Sequence, residues 1–297
     1  MNILILSRSS SLYSTKRLVE SSARRGHNVR IVDYMRCYIN ISSGRPSLYF
    51  GDRPIDSADA VIPRIGASVT NYGATIVRQL EILGYFCVNQ SSSIVNSRDK
   101  LKSIQLLSKE GIPLPNTGFS SDNKDMDQVI EKVGSTPLIV KLLQGTQGQG
   151  VLLADSKKTA KAIMSAFMQL DAESLVQEFI KESSGVDIRA IVIGDQVVAA
   201  MKRVAPEGEF RSNLHQGGHP SPVKLTDFEE KVAIKASRIL NLSISGVDFM
   251  RTKNGPLVLE VNSSPGLQGI ENCTGIDVAM KMILFVEQEM KRIRERN

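Results

Sequence analysis

The sequence contains no tryptophan, and aromatic residues make up only 5% of its 297 positions. Modules that read single-stranded nucleic acid stack bases on aromatics set in a basic face, so the scarcity argues against DNA or RNA binding as the main activity. The 3 cysteines, Cys37, Cys87 and Cys273, are widely spaced and odd in number. That pattern suits neither a disulfide framework nor a zinc site and points to a reducing cytoplasm. Histidine is as rare, with 3 in the chain. His215 and His219 stand four apart, but Gly217, Gly218 and Pro220 oppose the helix that a His-x-x-x-His zinc pair requires. No apolar run is long enough to cross a bilayer, and the N-terminus enters Ile3-Leu-Ile-Leu6 without a signal-peptide pattern, so no membrane partner is expected. Two phosphate signatures are also missing. The first strand is not followed by G-x-G-x-x-G, and Gly-Lys-Ser/Thr occurs nowhere.

What the chain does have is an ordinary globular balance, with 41% hydrophobic and 23% charged residues. Its length predicts two or three packed subdomains. The formal charge of +6 suggests an anionic partner such as a nucleotide, an acidic peptide or RNA. The basic residues are scattered, apart from the tail Lys291–Arg296.

Ile3–Leu6 reads as a buried parallel strand, followed by a helix from about Ser14 to Arg25 that stops at Gly26. Strands at Val29–Val32, Ala60–Ile62 and Phe86–Val88, with a helix from Ala74 to Leu83, complete a small open α/β sheet ending near Asn89. Arg64 lies just past a strand end, where such sheets place ligands; it is a candidate for a substrate carboxylate or a salt-bridged surface residue. Ser91-Ser-Ser93 reads as a linker, and a single helix is predicted from Ser97 to Glu110. Pro113 and Pro115 mark the crossing into a second region. There the strand Leu138–Lys141 leads through Gln144-Gly-Thr-Gln-Gly148-Gln-Gly150 into Val151–Leu153. Further expectations are a helix near Ser156–Met168, the run Leu175–Ile180, strands at Ala190–Ile193 and Val197–Ala200, and a helix from Asp227 to Leu240. A last helix from Ile276 would place Ile276, Met280, Ile283 and Leu284 on one core stripe.

Three stretches carry chemistry. Around an Asn-Gly turn at residues 254–255, two apolar runs form a β-hairpin. Glu260 and Asn262 are two apart and leave one face, which Asp248 reaches from across the hairpin. Two carboxylates and an amide oxygen make a hard-oxygen site suited to Mg²⁺ held with substrate phosphates, the alternative being a solvated acidic hairpin. Glycines 145, 148 and 150 let backbone N–H groups approach phosphates, and Lys141 arrives at the same edge as a cation, the alternative being a plain hairpin loop. The backbone of Leu175–Ile180 is available to a purine edge. Asp187 and Arg189 share a strand face, as an intrastrand ion pair or as functional groups. Met201-Lys-Arg203 then leaves its strand with cations at the sheet edge, and Arg211-Ser-Asn213 follows in a polar loop.

The order of these features (a lysine before a helix at Lys100, a lysine ending a strand at Lys141, a glycine flap, Asp-x-Arg, Arg-x-Asn, then Asp…Glu-x-Asn-x-x-Pro-Gly) resembles the ATP-grasp ligases over about residues 97–290. Pro63-Arg-Ile-Gly66, Ser97-Arg-Asp-Lys100, Gly145-Thr-Gln-Gly148, Phe210-Arg-Ser-Asn-Leu214 and Val261-Asn-Ser-Ser-Pro-Gly-Leu267 look like the RimK-type glutamate ligases, which modify the C-terminus of ribosomal small-subunit protein six. The fold class implied is α/β, an N-terminal open α/β domain (1–90) followed by a two-part ATP-grasp fold. Its central subdomain (91–180) carries the glycine flap and its C-terminal subdomain (181–297) the metal site.

The resemblance implies roles. Lys100 and Lys141 would contact ATP phosphates beneath the flap of Gly145, Gly148 and Gly150. Glu178 and Phe179 would hold adenine, and Asp187 a ribose hydroxyl. Asp248, Glu260 and Asn262 would coordinate two Mg²⁺ or Mn²⁺, with Glu260 bridging. Arg189, Arg203 and Arg211, with Asn213, would steady an acyl phosphate, and Arg211 and Asn213 would also touch the nucleotide. The expected reaction joins L-glutamate to the acceptor's C-terminal carboxylate, in a cytoplasmic homo-oligomer (dimer or tetramer). Serine at 263, where relatives often carry alanine, leaves the metal ligands intact. Two other readings are an ATP-grasp ligase acting on a small molecule or another carrier protein, and a regulatory ATP-binding protein without catalysis. Retention of Asp248, Glu260, Asn262 and Arg211 argues against the second.

Overall fold

In a computed structural model of the chain, residues 1–55, 57–145, 150–183, 185–214 and 217–296 are described. Asn28–Val32, Asn2–Leu6, Ala60–Pro63 and Phe86–Cys87 lie side by side in one parallel sheet. The helices Tyr13–Arg24 and Thr70–Ile82 supply the crossovers. The strands are short and apolar because helices cover both faces of a parallel sheet. Beside this sheet lies a small antiparallel one, Cys37–Asn40, Ser47–Phe50 and Arg53–Pro54, which the sequence reading did not anticipate.

Two expectations are corrected in the next stretch. Ser91 opens a helix, Ser91–Arg98, rather than a linker. Glu81 accepts hydrogen bonds from the Ser91 amide and hydroxyl, both at 2.7 Å, so a carboxylate from another helix caps this one. The predicted single helix is split at Asp99, whose extended backbone (ψ 102°) ends one helix while its carboxylate caps the next, Lys100–Lys109, through the Lys102 amide.

The described residues between 117 and 178 form a compact unit. Its antiparallel sheet, in the order Val151–Ala154, Leu138–Leu142, Ser174–Glu178, Thr117–Phe119, is covered by the helices Met126–Val133 and Lys157–Gln169. This unit has its own core of Met126, Ile130, Leu138, Val140, Met164 and Val176.

The third sheet is antiparallel, in the order His219–Pro222, Gln196–Val204, Val186–Ile193, Ile244–Thr252, Gly255–Asn262. On one face Ile188, Ala190, Val247, Phe249 and Val258 pack on the helix Asp227–Ile239, whose Thr226 and Glu229 form a capping box. At one end of the other face, Ile191, Ile193 and Met201 join Ile3, Ile5, Leu18 and Ile62 in a single core with the final helix, Val278–Arg296. Val278, Ala279, Met282, Ile283, Val286 and Met290 line that helix's buried face, and Leu284 is exposed, contrary to the predicted stripe.

The N-terminal and C-terminal regions thus share hydrophobic interior. Asn89 binds them further: its amide donates to the Ile244 and Ser263 carbonyls at 2.7 and 2.9 Å, and its oxygen accepts from the Ser243 and Ile244 amides. Glu271 adds bonds from Tyr13 (2.9 Å) and Arg17 (3.0 Å).

Candidate active site

The charged end of the third sheet holds most of the predicted residues. Cross-strand partners share a face, and the register pairs Asp187 with Arg203, Arg189 with Asp248, and Asp248 with Glu260. Asn262 sits opposite Gly246 on the same side. A β-bulge between Asp248 and Phe249 makes this possible. Val258 and Val261 are both buried in one core although three apart, which a regular strand forbids. The extra residue keeps Val258 in the core while turning Glu260 to the polar face.

Within this row the pairings differ from expectation. Asp187 and Arg189 do not pair with each other. Arg189 chelates Asp248 (2.7 and 2.5 Å), and Arg203 chelates Asp187 while also reaching Asp248 at 3.0 Å. Arg203 is not at the sheet edge either. Its strand runs on to Val204, a further strand covers it, and it is 1% exposed. A guanidinium so buried is tolerable because two carboxylates neutralise it. Burial alone would raise the Asp248 pKa, but Arg189 and Arg203 overcome it and hold the group at about 2. Glu260 accepts from the Asn262 amide at 2.9 Å, which leaves the Asn262 oxygen free for a cation.

The second wall comes from the central unit. The Lys141 ammonium donates to Gln177 Oε1 at 2.6 Å. Burial pushes Lys141 down to about 8, with Glu260 opposing the shift and Lys100 adding to it. Burial also lowers Lys100, again opposed by Glu260. Lys100 donates to the Leu143 and Gly145 carbonyls at 2.7 and 2.8 Å, so it grips the rising arm of the glycine loop. Gly150 closes that loop with φ +72°, and a Cβ there would lie 2.6 Å from Leu142. Only glycine meets both conditions. Gly148 lies outside the described residues, as does His215. Glu178 ends its strand with its carboxylate on the Asn116 amide at 2.8 Å, and Phe179 meets Phe210 edge to face, centroids 6.3 Å apart. Phe210 thereby carries the loop holding Arg211 and Asn213 up to the central unit. Arg211 binds Glu209 (2.6 Å), which its guanidinium holds down to about 2. The Asn213 carbonyl accepts from Gly218 N at 3.2 Å.

The sequence reading passed over Gln177, which orients Lys141 from the neighbouring strand; a polar residue inside an apolar run was the available signal. It missed Glu209, which sits two residues from Arg211, and gave Arg98 no role although it quoted the motif that contains it.

Carboxylates on one sheet face, with two buried lysines near enough to feel Glu260, are the groups that an ATP-grasp ligase needs for a nucleotide and its metal. Solved proteins share the fold. The RimK domain ATP-grasp protein of Sphaerobacter thermophilus is 22% identical with a TM-score of 0.73, covering 96% of this chain and 99% of its own. The ATP-grasp ligase PsnB, solved with minimal precursor, Mg and ADP, gives 0.75 at 18% identity and 98% of both chains. Residues 97–286 match the RimK-like ATP-grasp domain and residues 1–94 the RimK PreATP-grasp domain, so the chain belongs to the RimK family of ATP-dependent ligases. A probable alpha-L-glutamate ligase of Nitrosococcus oceani is 54% identical over 296 residues, 100% of this chain and 98% of that protein. One of the same description from Aliivibrio fischeri is 54% identical over 288 residues, 97% and 96% of the two chains. Among the described residues no helix is long and apolar enough to cross a membrane.

Proposed function

We propose that this chain adds L-glutamate to the C-terminal carboxylate of a ribosomal small-subunit protein, using ATP and an acyl-phosphate intermediate. The observation that carries the reading is the row Arg189–Asp248–Glu260, with Asn262, facing Lys100 and Lys141. The descriptions of the relatives above support glutamate as the amino acid. The ribosomal acceptor rests on the resemblance of the motifs, as does assembly into a dimer or tetramer.

The donor set suits a divalent cation. Asp248, ionised and fixed by its arginines, with Glu260 and the free Asn262 oxygen, offers hard oxygen ligands, and Mg²⁺ completes such sets with water and substrate phosphates. Asp248, Glu260 and Asn262 would hold Mg²⁺ or Mn²⁺, two ions in this proposal. Held by these residues, such a cation would supply neutralisation of the charge on the phosphoryl group in transfer.

The chain's own groups do the rest. Lys100 and Lys141 hold the ATP phosphates beneath the glycine loop. Glu178 and Phe179 present their backbone to adenine, and Asp187 faces the ribose. The acceptor carboxylate attacks the γ-phosphate, giving ADP and an acyl phosphate steadied by Arg189, Arg203, Arg211 and Asn213. The glutamate amine then attacks the acyl carbon, the peptide bond forms, and phosphate leaves. Positioning and fixed charge carry the catalysis, so no side-chain nucleophile is needed. The loop excludes water that would hydrolyse the intermediate.

The test is ADP release with Mg²⁺, ATP and L-glutamate, with and without purified ribosomal protein six, while acceptor mass is read in parallel. Acceptor-dependent turnover with mass gains in glutamate-residue steps supports the reading. Turnover only with a different carboxylate acceptor keeps the ligase and replaces the substrate.

A further inference from the structure

Arg64 and Arg98 are two half-buried cations that the reaction as described leaves unused. Arg64 follows the strand Ala60–Pro63 and donates to the Pro265 carbonyl at 2.6 Å. Arg98 ends the helix Ser91–Arg98 and donates to the Ile65 carbonyl at 3.1 Å. Neither has a carboxylate partner within salt-bridge distance among the described residues, in contrast to Arg189, Arg203 and Arg211. The Arg98 Nε is buried without a hydrogen-bond partner, and so are the hydroxyls of Ser263 and Ser264.

Burial weakens both guanidiniums, Arg64 down to about 10, and Arg98 lowers Arg64 further by its proximity. Two like charges partly taken from water, each bound to a carbonyl, are costly, and the buried unpaired Arg98 Nε adds to the cost. An anion meeting both would remove most of it, since a guanidinium presents five N–H donors and neutral carbonyls use few of them. The position fits a substrate. Arg98 feels Glu260, and Ser263–Ser264 continue directly from Asn262.

The geometry points to a carboxylate subsite formed by Arg64, Arg98 and the Ser263–Ser264 hydroxyls, which holds a carboxylate of the incoming amino acid beside the metal-facing hairpin. This rests on the proposed glutamate ligation. Three carboxylates enter that reaction, the acceptor's and the two of glutamate, and their fates separate them. The acceptor's is converted to an acyl phosphate and then an amide, whereas those of glutamate stay ionised throughout. A fixed cationic pair suits the group that keeps its charge.

The test combines steady-state kinetics with calorimetry on the full chain. Arg98→Gln and Arg64→Gln should raise KM for L-glutamate roughly 10- to 100-fold, the range for loss of one charge-assisted bond. KM for ATP and for the acceptor should stay within about twofold, and Arg98→Lys should recover part of the loss. Because Arg64 also ties the domains together, Arg98→Gln, whose bond lies within the N-terminal region, decides if Arg64→Gln unfolds. Unchanged KM for glutamate overturns the subsite. A rise confined to the acceptor's KM overturns its assignment to the amino acid. If the wild-type protein turns over no glutamate, the proposed function fails, and titration with succinate as a probe carboxylate decides the subsite alone. Succinate binding that Arg98→Gln abolishes upholds it; equal binding, or none, removes it.

Discussion

Asp248 and Glu260 stand directly opposite each other across the terminal hairpin, yet only Asp248 is locked by arginines. The two carboxylates therefore differ in what they do for the fold. Glu260 has the Asn262 amide as its hydrogen-bond partner and is half-buried. Glu260→Ala should abolish ATP turnover and leave the chain folded, at a cost of about 1 kcal/mol, the usual scale for a single substitution. Near-normal ADP release from a folded variant would refute the metal assignment.

Asp248→Asn should behave differently. It leaves Arg189 and Arg203 short of a counter-charge, and Arg203 is 1% exposed. Removing one partner of a buried ion pair costs about 3–5 kcal/mol. Urea unfolding should show the midpoint moving down with an unchanged slope. A variant as stable as the wild type, inactive or not, contradicts the buried pairing.

Asp187→Ala should raise the ATP concentration needed for half-maximal rate more than the glutamate concentration. It should also lower stability, because Arg203 chelates this carboxylate. The reverse order of the two KM changes moves Asp187 out of the nucleotide site.

Lys141 predicts opposite pH trends for binding and stability. Burial holds it down to about 8 in the folded chain, against about 10.4 unfolded. Below pH 8 it is charged in both states and its burial cost is constant. Between these values the unfolded chain binds more protons, so this group's contribution to stability rises with pH. ATP affinity should fall over the same window as the cation is lost. In Lys141→Met both slopes should be missing from fluorescence titrations and from melts run at pH 7 to 10. If ATP affinity stays flat to pH 10 in the wild type, Lys141 is not the phosphate contact.

Local signals exposed the hairpin at Asn254-Gly255 and the strand Leu138–Leu142 that carries Lys141, because turn chemistry and apolar runs are written in neighbouring residues. What stayed hidden depended on distant partners. Ser91 looked like linker because its cap, Glu81, comes from another helix. Lys202 and Arg203 looked like a strand end because the carboxylates that let Arg203 be buried lie on other strands. The sheet beginning at Cys37 is built from strands of 4, 4 and 2 residues, too short for a periodic pattern. The bulge that turns Glu260 outward has no signal in the sequence, since Leu257-Val-Leu reads equally well as a regular strand.

The four hydrogen bonds of Asn89, set in an interior common to both ends of the chain, divide the molecule mechanically. The hairpin with Asp248 and Glu260 is bolted to the first sheet like an anvil to its block. Residues 117–178, with a core of their own, are the hammer. Displacing one against the other would leave Asp248 and Glu260 with the first sheet and carry Lys141 with residues 117–178.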